Sequence, residues 1–570
     1  MHLDIRSPDW WKSAVVYQVY PRSFADSDGD GVGDIPGITS RLDHLAQLGV
    51  DVLWLSPVYA SPMDDNGYDI SDYQDIDPLF GSLADLDALV AGLHERGIRL
   101  VMDLVVNHTS DEHPWFVESR DPQSPRRDWY WWRPARDGHQ PGTAGAEPTN
   151  WESAFSGSAW EYDERSGEYY LHLFSRKQPD LNWENPVVRD AVHTMMRWWV
   201  DRGVDGFRMD VINLISKPAR LVDGVPPPGR RLTPAFHPVA NGPRLHEFLR
   251  EMNERVGLSE RHLLTVGEMP GSSVALARDV TDPARRELDM VFTFEHVQLD
   301  EEPGLGKWAL RPLALPVLKA NLDLWQRGLE ETGWNSLYWD NHDQPRAVSR
   351  FGDDSPAHRV ASAKTLATVL HLHKGTPYVY QGEELGMTNA DFTDIGPYRD
   401  IESLGFHGDA TSLGTAPDTV LAALAAKSRD NARTPMQWDD SEHAGFTAGE
   451  PWLPVNPNKD VINAAAAVAD PDSVFHHYRR LIRLRRDEPV VVHGRFELLL
   501  PEHDQLWAFT RTHGDDVLLV LANCSSLPAY VDPVDVPDRR GARILISTHV
   551  EGRPDRLRPW ESKVYRLTGA

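Results

Sequence analysis

Eight short apolar runs alternating with amphipathic segments predict an α/β chain folded as a (β/α)8 TIM barrel. An irregular insertion follows the third strand, and an antiparallel β domain lies at the C-terminus. Three observations carry this. The runs Ala14–Tyr20, Asp51–Val58, Ile98–Val106, Val204–Val211, Leu263–Met269, Met290–Phe294, Asn335–Trp339 and Thr376–Tyr380 are nearly continuous in apolar residues, the pattern of parallel strands covered on both faces. Helical patterns separate them, as repeated strand–helix units require. Residues 109–180 and the chain from 488 onward break the repeat.

Among the helices, Ser82–Gly97 is the clearest. Ser82 can cap, Asp85 stands three residues on, Leu83, Leu86, Leu89, Val90 and Leu93 form one stripe, and Gly97 closes it. Pro186–Gly203 has Pro at its start and Gly at its end. Residues 109–180 are rich in Pro, Gly and Trp with little helical periodicity. Beyond 488, Val490–Val492, Val517–Ala522 and Ala542–Ile546 are separated by Gly, Pro and Asp and predict antiparallel strands. The expected domains are a barrel over 1–108 and 181–487, an inserted subdomain over 109–180 and a C-terminal β-sandwich over 488–570. The run Ala464–Ala467 is a low-complexity patch without an assignable role.

Composition limits the function classes. With 41% apolar and 25% charged residues the 570-residue chain is an ordinary globular sequence. Its net charge of −28 repels nucleic acid and anionic lipid, so neither is an expected partner. The single cysteine, Cys524, excludes an internal disulfide and a Cys-rich metal site. No secretory leader and no long apolar run is visible, so a cytoplasmic location without a membrane span is expected. Oligomeric state is not indicated.

The chemistry-bearing residues fall at strand ends. Gly206-Phe207-Arg208-Met209-Asp210 closes the fourth strand. Side chains two apart on a strand share a face, so Arg208 and Asp210 project together. The guanidinium is expected to keep Asp210 ionised, as a nucleophile must be. Glu268 ends the fifth strand in Thr265-Val266-Gly267-Glu268, where apolar surroundings would raise its pKa and make it a proton donor. Asp343 follows His342 past the seventh strand, and His108 lies in Asp103-Leu104-Val105-Val106-Asn107-His108. Polar groups at the same end of consecutive strands converge on one mouth. Two carboxylates flanking a bond, one nucleophile and one acid, are what glycoside hydrolysis needs.

The segments around His108, Asp210, Glu268 and His342-Asp343, with Gln178-Pro179-Asp180-Leu181-Asn182-Trp183 and Ala432-Arg433-Thr434-Pro435-Met436-Gln437-Trp438, resemble in order the α-amylase family of glycoside hydrolases. The oligo-1,6-glucosidase and α-glucosidase branch is the most similar, from Trp10 to the C-terminus. The resemblance implies that Asp210 is the nucleophile, Glu268 the acid/base and Asp343 the third carboxylate. It implies that His108 and His342 are hydroxyl ligands, with Arg208 beside the nucleophile. Asp65 and Tyr68 would hold the terminal glucose, with Arg429 as the partner of Asp65. Such a pair would make the pocket a dead end from which one glucose leaves at a time. Val211, directly after the nucleophile, and the following Ile212-Asn213-Leu214-Ile215-Ser216-Lys217 resemble the α-1,6 group. Phe155 and Phe174 are expected at the pocket mouth. Of the tryptophans in or near the insertion, Trp129, Trp131, Trp132, Trp151, Trp160 and Trp183, only a few are expected to meet sugar.

Asp26-Ser27-Asp28-Gly29-Asp30-Gly31-Val32-Gly33-Asp34 places oxygen donors at positions 1, 3, 5, 7 (the Val32 carbonyl) and 9. Gly stands at position 6, an EF-hand order without the final Glu. Oxygen donors favour a structural Ca²⁺, with Mg²⁺ as an alternative. The resemblance supports a calcium in this loop.

The expected activity is that of a retaining, exo-acting α-glucosidase on a small neutral oligosaccharide. Overlap with α-1,4 or sucrose hydrolysis is expected. Alternatives on the same scaffold are an α-1,4-preferring maltase, a glucosyl-transferring or sucrose-isomerising enzyme, and a trehalose-6-phosphate hydrolase. The last would use Arg220, Arg230 and Arg231 for phosphate. A non-enzymatic transporter partner is disfavoured, since all three carboxylates are present.

Overall fold

The computed structural model describes residues 7–227, 229–549 and 555–567. Residues 1–6, 550–554 and 568–570 of the expected domains lie outside the described residues, as does Pro228. All eight expected strands form: β1 (Val16–Val19), β2 (Val52–Leu55), β3 (Arg99–Leu104), β4 (Gly206–Met209), β5 (Leu264–Glu268), β6 (Met290–Phe292), β7 (Ser336–Leu337) and β8 (Thr376–Tyr380). They pair in parallel, β1 through β6 in chain order, and β8 lies between β1 and β7. A parallel bridge between Val291 and Asn335 joins β6 to β7, and Ser336 Oγ donates to the Val291 carbonyl at 2.6 Å across the same seam. The ring is therefore closed.

Alternation along the strands builds two cores. Val16, Val52, Trp54, Val101, Leu264, Val266, Met290, Phe292 and Tyr378 form one cluster inside the barrel. Their neighbours Tyr17, Val19, Leu53, Leu55, Leu100 and Met102 join the core shared with the helices. Burial on both faces explains the continuous apolar runs.

The helix Leu83–Glu95 begins in a full capping box: Ser82 Oγ accepts from Asp85 N, and Asp85 Oδ2 accepts from Ser82 N at 2.9 Å. The helix Pro186–Asp201 starts after Asn185, whose side chain caps Val187 N.

Two expectations are corrected. The insertion is not irregular throughout. It carries a helix, Pro114–Ser119, and a three-stranded antiparallel sheet of Trp132–Arg133, Glu168–Leu171 and Trp160–Asp163. Strands of two to four residues are too short to print a period. Trp129, Trp131, Trp132, Trp151, Trp160 and Trp183 are all buried and serve as core. Val490–Val492 is not a strand but part of the helix Pro489–His493. Pro489 presets the first turn, and all three valines are buried, so tertiary burial overrides their β propensity.

The C-terminal sheet consists of β9 (Arg495–Leu499), β10 (Leu506–His513), β11 (Asp516–Asn523), β12 (Arg543–Ser547) and β13 (Ser562–Leu567). Its order is β9-β10-β11-β13-β12, all antiparallel. Trp507, Phe509, Leu518 and Val520 face the barrel core. Leu506, Ala508, Leu519 and Leu521 face a second layer that includes Ala529 and Leu557 of a two-stranded ribbon. Among the described residues no helix is long and apolar enough to cross a membrane.

Candidate active site

The C-terminal ends of the barrel strands bring the expected residues together around one guanidinium. Arg208, on β4, is fully buried. Its Nη1 lies 2.7 Å from Asp103 Oδ1 and 2.6 Å from Asp210 Oδ1, and its Nη2 lies 2.8 Å from Glu268 Oε2. Arg208 and Asp210 thus project together, as the two-residue spacing predicts. One positive charge is divided among three carboxyls, however, and burial outweighs it. Burial pushes Asp210 up to about 6 against the pull of Arg208, so that it is ionised near neutrality with a smaller margin than a free carboxylate. Burial pushes Glu268 up to about 8, with Arg208 opposing and Asp210 and Asp343 adding to the rise. Asp103 rises to about 6 for the same first reason. The pair is therefore poised with one carboxyl protonated and the other ionised near neutrality.

A second charged group surrounds Asp343. Arg433 Nη2 stands 2.7 Å and Arg429 Nη1 3.2 Å from Asp343 Oδ1. Burial, which would raise its pKa, is outweighed by His342 and the two guanidiniums, so Asp343 is held well below the usual carboxylate range. Burial lowers His342 to about 3, so near neutrality the two arginines supply this attraction. Arg429 Nη2 also reaches Asp65 Oδ1 at 3.4 Å and Asp400 Oδ2 at 2.8 Å, which joins Asp65 to Arg429 as the resemblance implies. Burial raises Asp65 to about 7 against Arg429. The side chains of Asp210 and Glu268 keep 9% exposure each and Asp343 keeps 27%, so all three remain accessible.

Rings line the same space. Tyr68 is stacked on His342 at 5.3 Å between centroids, and its hydroxyl lies 2.7 Å from His342 Nε2. His108 Nε2 lies 3.1 Å from the Tyr68 carbonyl. His108 packs on Phe174 at 5.1 Å, Phe174 on Phe155 at 5.9 Å, and Arg429 lies over Phe155 at 5.3 Å. Val211 is buried with Leu173 and Leu214 in a cluster that Phe174 flanks. Its backbone is left-handed, φ 36° and ψ 40°, a strained conformation for a β-branched residue. This turn sends its N–H to Glu268 Oε2 at 3.0 Å.

The loop after β4 is sewn onto the insertion: Thr233–Pro234 pairs with Trp151–Glu152, and Arg136 grips Asp223 at 2.7 and 2.8 Å. Arg220 and Arg231 are exposed. Arg230 is paired with Glu152, and Lys307, across the mouth, with Glu402.

In the loop after β1, Asp26, Asp28 and Asp34 offer carboxylate oxygens that lie within 4.8 Å of one another. Asp30 is not in that trio; its Oδ1 accepts from Val32 N at 2.8 Å. Asp26 is further held by the N–H groups of Gly29 and Gly31 at 2.8 and 2.9 Å. Burial and the charges of Asp28, Asp26 and Asp34 raise Asp30. Converging oxygens with mutual repulsion are a donor set that suits a hard divalent cation.

Sequence reasoning gave no role to four residues of the site. Asp103 had a signal, as a charge inside an apolar run. Gln178 and Arg433 lay in quoted motifs; Gln178 Nε2 donates to Asp65 Oδ2 at 3.1 Å, and Arg433 holds Asp343 and Asp400. Asp400 is the N-cap of the helix Ile401–Ser412, its side chain accepting from Glu402 N and Ser403 N, a pattern that signals a helix start and not a site.

Comparison with known proteins agrees with this geometry. Residues 18–494 match the family model described as Alpha amylase, catalytic domain. An oligo-1,6-glucosidase of Parageobacillus thermoglucosidasius is 56% identical over 565 residues, 98% of this chain and 99% of that one. The crystal structure of a trehalose-6-phosphate hydrolase from Bacillus licheniformis superposes with a TM-score of 0.92 at 47% identity, covering 98% of this chain and 99% of that one. An isomaltulose synthase mutant from Erwinia rhapontici NX5, crystallised with sucrose, gives a TM-score of 0.92 at 41% identity, with 98% and 99% coverage. With the family model matched over most of its length and barrel, insertion and carboxyl cluster in place, the chain belongs to the α-amylase family of glycoside hydrolases.

Proposed function

We propose that the protein is a retaining, exo-acting α-glucosidase that releases α-glucose from the non-reducing end of short α-glucosides, with a preference for α-1,6 linkages. The observation that carries this is the Asp210–Arg208–Glu268 arrangement. Asp210, ionised above about 6, attacks the anomeric carbon while Glu268, protonated below about 8, gives its proton to the leaving oxygen. Glu268, now a carboxylate, then takes a proton from water, which opens the glycosyl–Asp210 ester with a second inversion. Two carboxyls drawn onto the two terminal nitrogens of one guanidinium support a close pair, as retention requires.

Asp343, kept anionic by Arg429 and Arg433, accepts hydroxyl hydrogens of the distorted sugar, and neutral His108 and His342 complete that ring of ligands. Asp65 with Arg429 holds the far end of the glucose and makes the pocket blind. Tyr68 offers its ring face, and Phe155 and Phe174 line the mouth. Val211 supports the α-1,6 preference.

A neutral substrate is favoured over trehalose-6-phosphate, because Arg230 and Lys307 are already paired with carboxylates and Arg220 and Arg231 are exposed. The stretch Leu299-Asp300-Glu301-Glu302 is acidic, and Asp300 is engaged by Arg350 and Lys427, which favours hydrolysis over sucrose isomerisation. The loop of Asp26, Asp28, Asp30, Val32 and Asp34 would hold a structural Ca²⁺ (Mg²⁺ as the alternative), with no part in the bond cleavage. A cytoplasmic setting is part of the same proposal; it suits a lone cysteine whose thiol burial pushes up to about 12.

A panel of isomaltose, maltose, sucrose, trehalose and trehalose-6-phosphate, with anomeric products followed by NMR, tests the reading. β-Glucose as first product, or trehalose-6-phosphate as best substrate, would overturn it.

A further inference from the structure

Behind Asp343 lies a pair of acids that the reaction does not use. Asp340 and Glu383 are both buried, their carboxyls face each other within hydrogen-bonding reach, and both line one small cavity of ≈ 10 Å³ among the buried side chains of Tyr478, Ala347, Val348, Ala363, Leu366 and Met387. Such a space holds one water at most, so bulk solvent does not screen the pair.

Each carboxyl ties down a different strand end. Asp340 Oδ2 accepts from Ala347 N at 2.8 Å, closing residues 340–347 into a clasp. Within it, Asp343 N donates to Asn341 Oδ1 at 2.8 Å. Glu383 Oε2 accepts from Tyr380 N at 3.3 Å, at the end of β8, and Oε1 from Tyr478 Oη at 2.5 Å. Asp340 Oδ1 meets no protein N–H or O–H donor, which leaves it for a proton shared with Glu383. The remaining titratable groups facing the pair are Arg346, Glu384, Tyr380 and Tyr478. The guanidinium of Arg346 is spent on the carbonyls of Gln381, Asn431 and Ala432, and Glu384 adds a further negative charge.

We propose that Asp340 and Glu383 share a single proton and act as one positioning unit that braces the 340–347 clasp, and with it Asp343, from behind. Two buried carboxyls in contact cannot both ionise, and sharing one proton gives them a hydrogen bond in place of repulsion. Burial raises both from the usual carboxyl range, and their mutual charge adds to the rise in Glu383.

The test compares an amide that mimics the protonated acid with a truncation that removes it. Asp340→Asn is expected to keep kcat within about threefold, whereas Asp340→Ala lowers kcat by about 10- to 100-fold at little change in KM, the scale of a misplaced catalytic group. Equal damage in both variants would show that Asp340 must be anionic, and a wild-type kcat in a folded Asp340→Ala would show that it braces nothing; either overturns the proposal.

The kinetic arm rests on reading Asp343 as the stabilising carboxylate; a thermal arm does not. A carboxyl raised in the native state binds more protons there than unfolded, so its stability contribution falls as pH rises from the usual carboxyl range toward the raised value. The melting temperature of the wild type should therefore fall more steeply, as pH rises above the usual carboxyl range, than that of Asp340→Asn or Glu383→Gln. Identical slopes in all three would exclude the shared proton even if the activity proved different from that proposed.

Discussion

Asp210 and Glu268 are held by the same guanidinium, Oδ1 of the one at 2.6 Å from Arg208 Nη1 and Oε2 of the other at 2.8 Å from Nη2. Their fates separate because their surroundings differ. Glu268 feels the negative charges of Asp210 and Asp343, whereas Asp210 feels Asp103 and takes a hydrogen bond from Arg208.

The first consequence is a bell-shaped pH profile. Activity should rise as Asp210 ionises through about 6 and fall as Glu268 loses its proton through about 8. The limbs belong to the coupled pair rather than to either residue. In Glu268→Gln the alkaline limb should vanish together with ~10²–10⁴-fold of kcat on substrates with poor leaving groups. A kcat/KM flat from pH 5 to 9 would contradict the assignment.

Arg208 is the hub on which this depends. Arg208→Ala would leave Asp103, Asp210 and Glu268 buried around no counter-charge, a loss of about 3–5 kcal/mol. Urea unfolding at neutral pH measures it. A midpoint equal to that of the wild type would mean that the three carboxyls do not rely on that charge.

Val211 offers a narrower change. Thr keeps the β-branch at φ 36°, so the strained turn and its N–H to Glu268 survive while a hydroxyl enters the wall. Val211→Thr should lower the isomaltose-to-maltose ratio of kcat/KM by about tenfold, the scale of one altered pocket contact. An unchanged ratio would remove Val211 from the account of linkage preference.

Arg429 closes the blind end through Asp65, Asp343 and Asp400. Arg429→Ala should raise KM by about 10- to 100-fold, as loss of a charged hydrogen bond does. It should also let products longer than glucose appear from isomaltotriose, visible by chromatography. Glucose as the sole product at unaltered KM would refute the blind-pocket reading.

For the loop of Asp26, Asp28 and Asp34, chelation should lower the melting temperature while leaving kcat of the still-folded protein at 25 °C unchanged. Saturation at 1,000 times Kd is worth about 4 kcal/mol. Asp26→Ala should melt at the chelated temperature with or without added Ca²⁺. A melting curve indifferent to chelator would leave the loop as a hydrogen-bonded turn.

The sequence by itself determined the barrel, because a strand buried on both faces must be apolar throughout, and eight such runs leave few alternatives. It also placed Asp210 and Glu268 at strand ends and Arg208 on the same face as Asp210 by two-residue periodicity, whereas Asp343, beyond β7, was given its role only by the family resemblance. What spacing left open, the tertiary structure decided. Gln178 reaches Asp65 and Arg433 reaches Asp343 across more than eighty residues of chain, Asp400 joins them only through the guanidiniums of Arg429 and Arg433, and no local pattern encodes such a meeting. The margin by which Asp210 stays ionised lies outside local spacing for the same reason. Its neighbour in sequence is a guanidinium, but its pKa is set by burial against that guanidinium, with Asp103 on the adjacent strand adding to the rise. Val490–Val492 turned helical because three-way burial between barrel and sheet outweighs the preference of valine for a strand. Local chemistry fixes which groups are present and which face they take; desolvation and long-range charge, which exist only once the barrel closes, fix what those groups can do.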